Sequence, residues 1–115
     1  MANTFKVVTK AGVTSADVIY TVAGSTTTVI LGLILGNTTT SQVTATVTLV
    51  SNTTSRAGNN NEDNQNVELV TNAPIPAGSS LELLAGNKVV LEDTDTISVT
   101  ASGATDVCLS IMEIT

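Results

Sequence analysis

Short apolar bursts separated by turn residues set the rhythm of this chain, most clearly from Asn72 to Ala101. Leu81, Leu83 and Leu84 form one burst, Val89, Val90 and Leu91 a second, and Ile97 and Val99 a third. Pro74, Pro76 and Gly78 preset a bend ahead of them and deny the chain a helix. Gly86-Asn87 and Asp93-Thr94-Asp95 separate the bursts, and both suit tight turns between antiparallel strands. The stretch is predicted to be a strand-turn-strand-turn-strand unit on which the upstream strands pack.

Upstream, Asn3 to Lys10 reads as a strand with Phe5 and Val7 on one face and Lys6 and Val8 on the other, broken by Ala11-Gly12. A second strand covers Asp17 to Val22. Val29 to Leu35 is a continuous apolar run with branched residues, short enough to be a strand buried on both faces. A buried helix competes there, but Gly32, Gly36 and the Thr26-Thr27-Thr28 lead-in favour the strand. Asn37 to Gln42 is a polar turn. Val43, Ala45, Val47 and Leu49 then alternate with Thr44, Thr46 and Thr48, which puts a hydroxyl face opposite a core face.

Ser51 to Asn66 has no apolar anchor and reads as a long exposed loop, the kind that is functional or mobile. Val67 to Thr71 resumes the sheet. The last strand, Asp106 to Ile114, offers Val107, Leu109 and Ile111 to one side and Cys108, Met112 and Ile114 to the other, so it should be central or covered on both sides. About eight or nine closely spaced strands without a helical pattern argue for an all-β fold, a sandwich or small barrel. The expectation is one domain over residues 1–115, an antiparallel β-sandwich of jelly-roll-like form.

Composition narrows the function. Charged residues make up 12% of the chain, about half the share of roughly 25% that is usual. Thr, Ser and Asn take their place, which predicts a neutral surface covered in hydroxyls. The net charge is −6, with Lys6, Lys10, Arg56 and Lys88 as the cations, a balance that argues against nucleic acid. Phe5 and Tyr20 are the aromatic residues, too few for base or sugar stacking platforms.

With no His and a single Cys, neither an intrachain disulfide nor a His-activated nucleophile can be built. Cys108 reads as a buried small residue within an apolar alternation. The amino terminus lacks a secretory pattern, and no run approaches the roughly 20 apolar residues of a membrane helix. These features predict a soluble chain, made in a cytoplasm, that needs no cofactor and no membrane.

Two acidic clusters are candidate sites. Glu92, Asp93 and Asp95 could offer oxygen ligands to a calcium ion, although their spacing is not that of an EF-hand and a turn explains them better. Glu62-Asp63 is weaker. A glycosidase pair would need a cleft that nothing here implies. Asn37-Thr-Thr and Asn52-Thr-Thr match the glycosylation pattern, but without a secretory signal they read as chance matches.

Several segments together resemble small structural proteins of tailed bacteriophages of marine cyanobacteria and other aquatic bacteria. They are Met-Ala-Asn-Thr-Phe-Lys at the start, Thr26-Thr-Thr-Val-Ile-Leu-Gly-Leu, Val43-Thr-Ala-Thr-Val, Asn72-Ala-Pro-Ile-Pro-Ala-Gly-Ser-Ser-Leu, Lys88-Val-Val-Leu-Glu, and Leu109-Ser-Ile-Met-Glu-Ile-Thr. The resemblance spans nearly the whole chain and implies a non-enzymatic virion component. Its expected partners are other virion proteins and copies of itself, in a homo-oligomer. A capsid decoration or a tail- or neck-associated subunit comes first. The alternative is a host-surface or carbohydrate-binding module at a fibre or tail tip. The expected contact residues are Arg56, Asn60 and Glu62 in the long loop, Pro74 and Pro76 at the bend, and Thr44, Thr46 and Thr48 on the hydroxyl face.

Overall fold

The computed structural model describes residues 2–52, 65–84 and 88–115. Among them run nine strands: β1 (Asn3–Val13), β2 (Ala16–Thr21), β3 (Thr27–Asn37), β4 (Val43–Ser51), β5 (Gln65–Ile75), β6 (Ser80–Leu83), β7 (Val89–Leu91), β8 (Thr96–Ala101) and β9 (Thr105–Ile114). The described residues contain no helix. All pairings are antiparallel. The strands form two sheets, a first in the order β1-β9-β3-β6, with β7 also on β3, and a second in the order β2-β8-β4-β5.

β6 and β7 occupy one edge in succession, β6 against Leu33 to Gly36 and β7 against Thr28 to Ile30. Counted as one interrupted strand, they leave a nested set of partners: β1 with β9, β2 with β8, β3 with β6/β7, β4 with β5. That nesting, wrapped into two sheets, is a jelly roll.

Alternation explains why the sheets face each other. β4 buries Val43, Ala45, Val47 and Leu49 and leaves Thr44, Thr46 and Thr48 half-buried on its other side. β9 buries Val107, Leu109 and Ile111. With Ile30, Leu33, Leu35, Ile97 and Val99 they fill the space between the sheets. Each such side chain contributes about 1.5–3 kcal/mol through burial.

Three expectations need correction. The Asn72 to Ala101 stretch is not a meander, because β6 and β7 share a neighbour rather than pairing together and β8 lies in the other sheet. Its turns form nonetheless. The Ser79 N–H donates to the Pro76 carbonyl at 3.0 Å, with Gly78 at φ 69°, and the Asp95 N–H donates to the Glu92 carbonyl at 3.2 Å. Both turns carry the chain from one sheet to the other instead of folding a hairpin. The Gly86-Asn87 spacer lies outside the described residues.

β3 is buried on one face only, since no third layer among the described residues covers the first sheet, and Ile34 remains 43% exposed. Ala11-Gly12 bends β1 rather than ending it. The register with β9 shifts between Lys10 and Val13, and Gly12 takes φ 68°, a bulge that glycine accommodates without strain.

Val47 is fully buried, whereas Thr46 faces outward, where its Oγ1 accepts the Asn72 N–H at 2.9 Å. Val47→Asp should therefore cost several kcal/mol in chemical denaturation. Thr46→Asp retains an acceptor oxygen at that position and should cost no more than about 1 kcal/mol. Equal losses would show that the facing of β4 is wrong.

Candidate assembly surfaces

The outer faces of the two sheets differ in chemistry. On the second sheet, Thr46 pairs with Thr100 and Thr48 with Ser98, so hydroxyls stand side by side across β4 and β8. Thr44 lies opposite Pro74 of β5, which brings two of the expected contact residues together. The Thr44 N–H donates to Ser102 Oγ at 2.9 Å, and the Ser102 N–H returns to the Thr44 carbonyl at 3.0 Å. Pro74 sits on an edge strand, where its missing N–H costs no ladder bond. Pro76 is exposed at the head of the β5–β6 turn. Arg56, Asn60 and Glu62 lie outside the described residues.

The first sheet presents the surface that pattern reading missed. β1 is turned so that Phe5 and Val7 point away from the core, 71% and 61% exposed. Phe5 stands beside Met112, and Met112 beside Val29. Farther along the same face, Ile34 lies beside Cys108. Phe5, Met112 and Val29 thus form one apolar row across β1, β9 and β3, and Cys108 and Ile34 part of a second, with Val7, Ser110 and Gly32 in the row between. A scattered exposed apolar residue means little, but a contiguous set on one sheet face marks a contact surface. The signal was available in β9 and β3, whose strands are apolar on both sides in a two-layer fold that can cover only one.

Cys108 belongs to this outer face and is half-buried, which corrects its reading as a core residue. The alternation of β9 gives the core to Val107 and Leu109, leaving position 108 outside. A shallow groove of about 340 Å³ runs there, with Thr9, Ile34, Gly36, Asp106 and Cys108 among its walls. Asp106 Oδ1 accepts the Gly12 N–H at 2.9 Å and so braces the β1 bulge. Nothing in the groove pairs a nucleophile with a base.

The acidic cluster is a turn device. Asp95 is fully buried, its Oδ1 accepting the Asn52 N–H at 2.8 Å and its Oδ2 the Glu92 N–H at 3.0 Å. Glu92 instead accepts Thr27 Oγ1 at 3.3 Å, and Asp93 accepts the Ser25 N–H at 3.5 Å. The three carboxylates serve separate donors rather than one common point, and no group of metal-ligating side chains forms among the described residues. Asn37 is likewise buried; its amide donates to the Ser41 and Ile75 carbonyls at 2.8 and 2.9 Å. The folded chain therefore cannot offer it for glycosylation.

A polar lock closes one side of the sandwich. Tyr20 from β2 donates its hydroxyl to Glu113 Oε2 at 2.6 Å. Because a phenol has one proton to give, Thr28 Oγ1, 2.8 Å away, donates to Tyr20. Lys6 from β1 reaches Glu113 Oε1 at 2.8 Å. Four strands from both sheets are thus tied together through the Tyr20 hydroxyl and the Glu113 carboxylate. Burial, and then the bond to Glu113, push the Tyr20 phenol up to about 12, while Lys6 and then Tyr20 hold the Glu113 carboxyl below its ordinary range.

No protein-family model matches the chain, and no curated protein matches it. One solved structure overlaps it: a chain from Bacillus endospore appendages, described as a novel family of disulfide-linked pili. That chain is 16% identical, with a TM-score of 0.46 over 96% of this chain and 85% of its own.

Tyr20 is the single tyrosine and there is no tryptophan, so phenolate absorbance reads it alone. It should ionise near pH 12, and move partway down in Glu113→Gln while burial still holds it above the ordinary phenol value. A raised phenol favours the folded state below its unfolded value, and that stability is lost as pH climbs from 10 through about 12. The lowered Glu113 carboxyl acts in the opposite direction. Its contribution is present above the ordinary glutamate range and lost as pH falls below it. An ordinary Tyr20 titration in the folded protein would dissolve the lock.

Proposed function

We propose that this chain is a non-enzymatic structural subunit of a bacteriophage particle, a capsid decoration or a tail- or neck-associated protein that acts by docking to other proteins. The observation that carries the proposal is the outer face of the first sheet, where Phe5, Val7 and Ile34 are exposed on a rigid jelly roll. Covering such side chains on association contributes about 25 cal/mol for every Å² of apolar surface removed from water. Few charges on either sheet need to be desolvated, which lowers the cost of contact. The hydroxyl face of the second sheet supplies a second, polar surface whose Thr side chains can bond across a subunit boundary once water leaves. The resemblance to phage structural proteins supports a partner within a virion assembled in the host cytoplasm.

Quantitative mass spectrometry of purified phage particles should find the chain in many copies. A few copies would point instead to a receptor-binding tip, and absence from particles would overturn the proposal. Ile34→Lys, at a side chain already facing water, should leave the fold intact and reduce incorporation at least tenfold. Full incorporation of that variant would remove the outer face from the contact.

A further inference from the structure

The sandwich has four sheet edges, and three of them are blunted. β6 and β7 are short, with 4 and 3 residues, and interrupted. β2 has 6 residues and shifts register between Val18 and Tyr20. β5 contains Pro74, and its pairing with β4 shifts between Ala45 and Val47 and again between Val47 and Thr48. Short strands, bulges and prolines are how edges avoid pairing with other chains. β1 differs: from Asn3 to Lys10 it follows β9 without a shift and contains no proline.

Ladder parity shows which backbone groups of β1 are left open among the described residues. Ala2 and Thr115 exchange both hydrogen bonds, Ala2 N–H to Thr115 carbonyl at 3.1 Å and Thr115 N–H to Ala2 carbonyl at 3.0 Å. Antiparallel bonding alternates residue by residue. Thr4, Lys6, Val8 and Lys10 therefore bond toward β9, and Asn3, Phe5, Val7 and Thr9 direct their N–H and carbonyl groups to the free side. Lysines commonly guard such an edge, but here Lys6 is drawn back to β9 and Lys10 to β2 of the second sheet. Lys6 Nζ lies 2.8 Å from Glu113, and Lys10 Nζ 3.7 Å from Asp17.

We propose that the free edge of β1 pairs antiparallel with β1 of a second copy, about a two-fold axis at Val7, so that the first sheet runs continuously through a dimer. This rests on the assembly reading above and names its immediate partner. The strand's own charges weigh against the two adjacent registers. Centred on Val7, Lys6 faces Val8 of the other copy and Lys10 faces Thr4. Shifting the axis to Lys6 sets Lys6 against Lys6, and shifting it to Val8 sets Lys6 against Lys10, both of them like-charge pairs. The Val7 register also puts Val7 beside Val7 and Phe5 diagonal to Val7, merging the two outer apolar faces. The open N–H and carbonyl groups at Phe5, Val7 and Thr9 all find partners. Between Asn3 and Gly12 only Val8 is even half-buried, so β1 overhangs the second sheet and a neighbour can reach it.

Sedimentation velocity across a wide concentration range should show a monomer–dimer equilibrium for the full chain. Val7→Pro removes a donor that points to the free side and leaves the β9 ladder whole. It should weaken dimerisation at least tenfold with an unchanged circular dichroism spectrum. Val7→Lys, at a position already 61% exposed, should do the same without any backbone change. By hydrogen exchange the Phe5, Val7 and Thr9 amides should be protected only in the dimer, with Lys6 and Val8 protected in both states. Wild-type protein that stays monomeric throughout, or Val7→Lys that dimerises as well as wild type, would overturn the pairing. A monomer that still enters phage particles overturns β1 pairing and spares the assembly reading, whereas a β1-paired dimer found in no particle does the reverse.

Discussion

The space between the two sheets is filled without an aromatic side chain, and most of the structure follows from that. Sheets stack about 10 Å apart, a gap that other sandwiches often fill with a large ring. Here Phe5 lies outside and Tyr20 serves at the margin. The filling comes instead from Val, Ile, Leu and Ala at every second position of β4, β8 and β9 and from Ile30, Leu33 and Leu35 of β3, where a bulge resets the alternation. Branched side chains have few rotamers, so each strand must arrive in one register for its residues to interlock. A slip by one residue would turn Val47 to water and Thr46 into the core. The strict period of β4 is thus a packing requirement, and the turns that cross between sheets must deliver each strand in phase. Asp95 and Asn37 perform that task at opposite connections by satisfying backbone groups that burial would otherwise leave without water.

Once the inner faces are committed, the outer faces carry the remaining information, and they diverge. Thr44, Thr46 and Thr48 give the second sheet a polar exterior. Val29, Ile34 and Met112 leave the first sheet apolar outside, with Phe5 and Val7 extending it to the edge. A monomer with this exterior would ordinarily carry charge to stay apart from its copies, but charged residues are only 12% of the chain. The asymmetry between faces is coherent for a subunit whose one side is covered by a neighbour.

Strand content, the core face of β4 and the inward set of β9 were legible in the sequence because alternation depends on local chemistry. The Pro76 to Ser79 turn was legible for the same reason. Sheet membership was not. Leu81 to Leu84 and Val89 to Leu91 look like two arms of a hairpin, and only the long-range preference of both for β3 shows otherwise. The same holds for Val29 to Leu35, where a continuous apolar run implied two covered faces. Apolar residues on a second face signal either another layer or another molecule, and a single chain cannot say which. The Thr residues and Pro74 fall on one shared surface, but the apolar face opposite them was missed, because Phe5 and Val7 look like core residues until their strand's facing is known.

The polar lock links fold to edge. Glu113 recruits Tyr20 and Lys6 to one carboxylate and so holds β1 and β2 against β9. The attraction that anchors Lys6 also turns its side chain to the inner side of β1, and Asp17 draws Lys10 the same way. Had these lysines pointed outward, β1 would carry the charges that normally deter a neighbour, and Phe5 and Val7 would face the core. Strand alternation forbids both arrangements at once. Closing the sandwich at its side through ion pairs therefore leaves Phe5, Val7 and Thr9, none of them charged, on the exterior of β1. The interaction that completes the monomer leaves the strand fit for a partner.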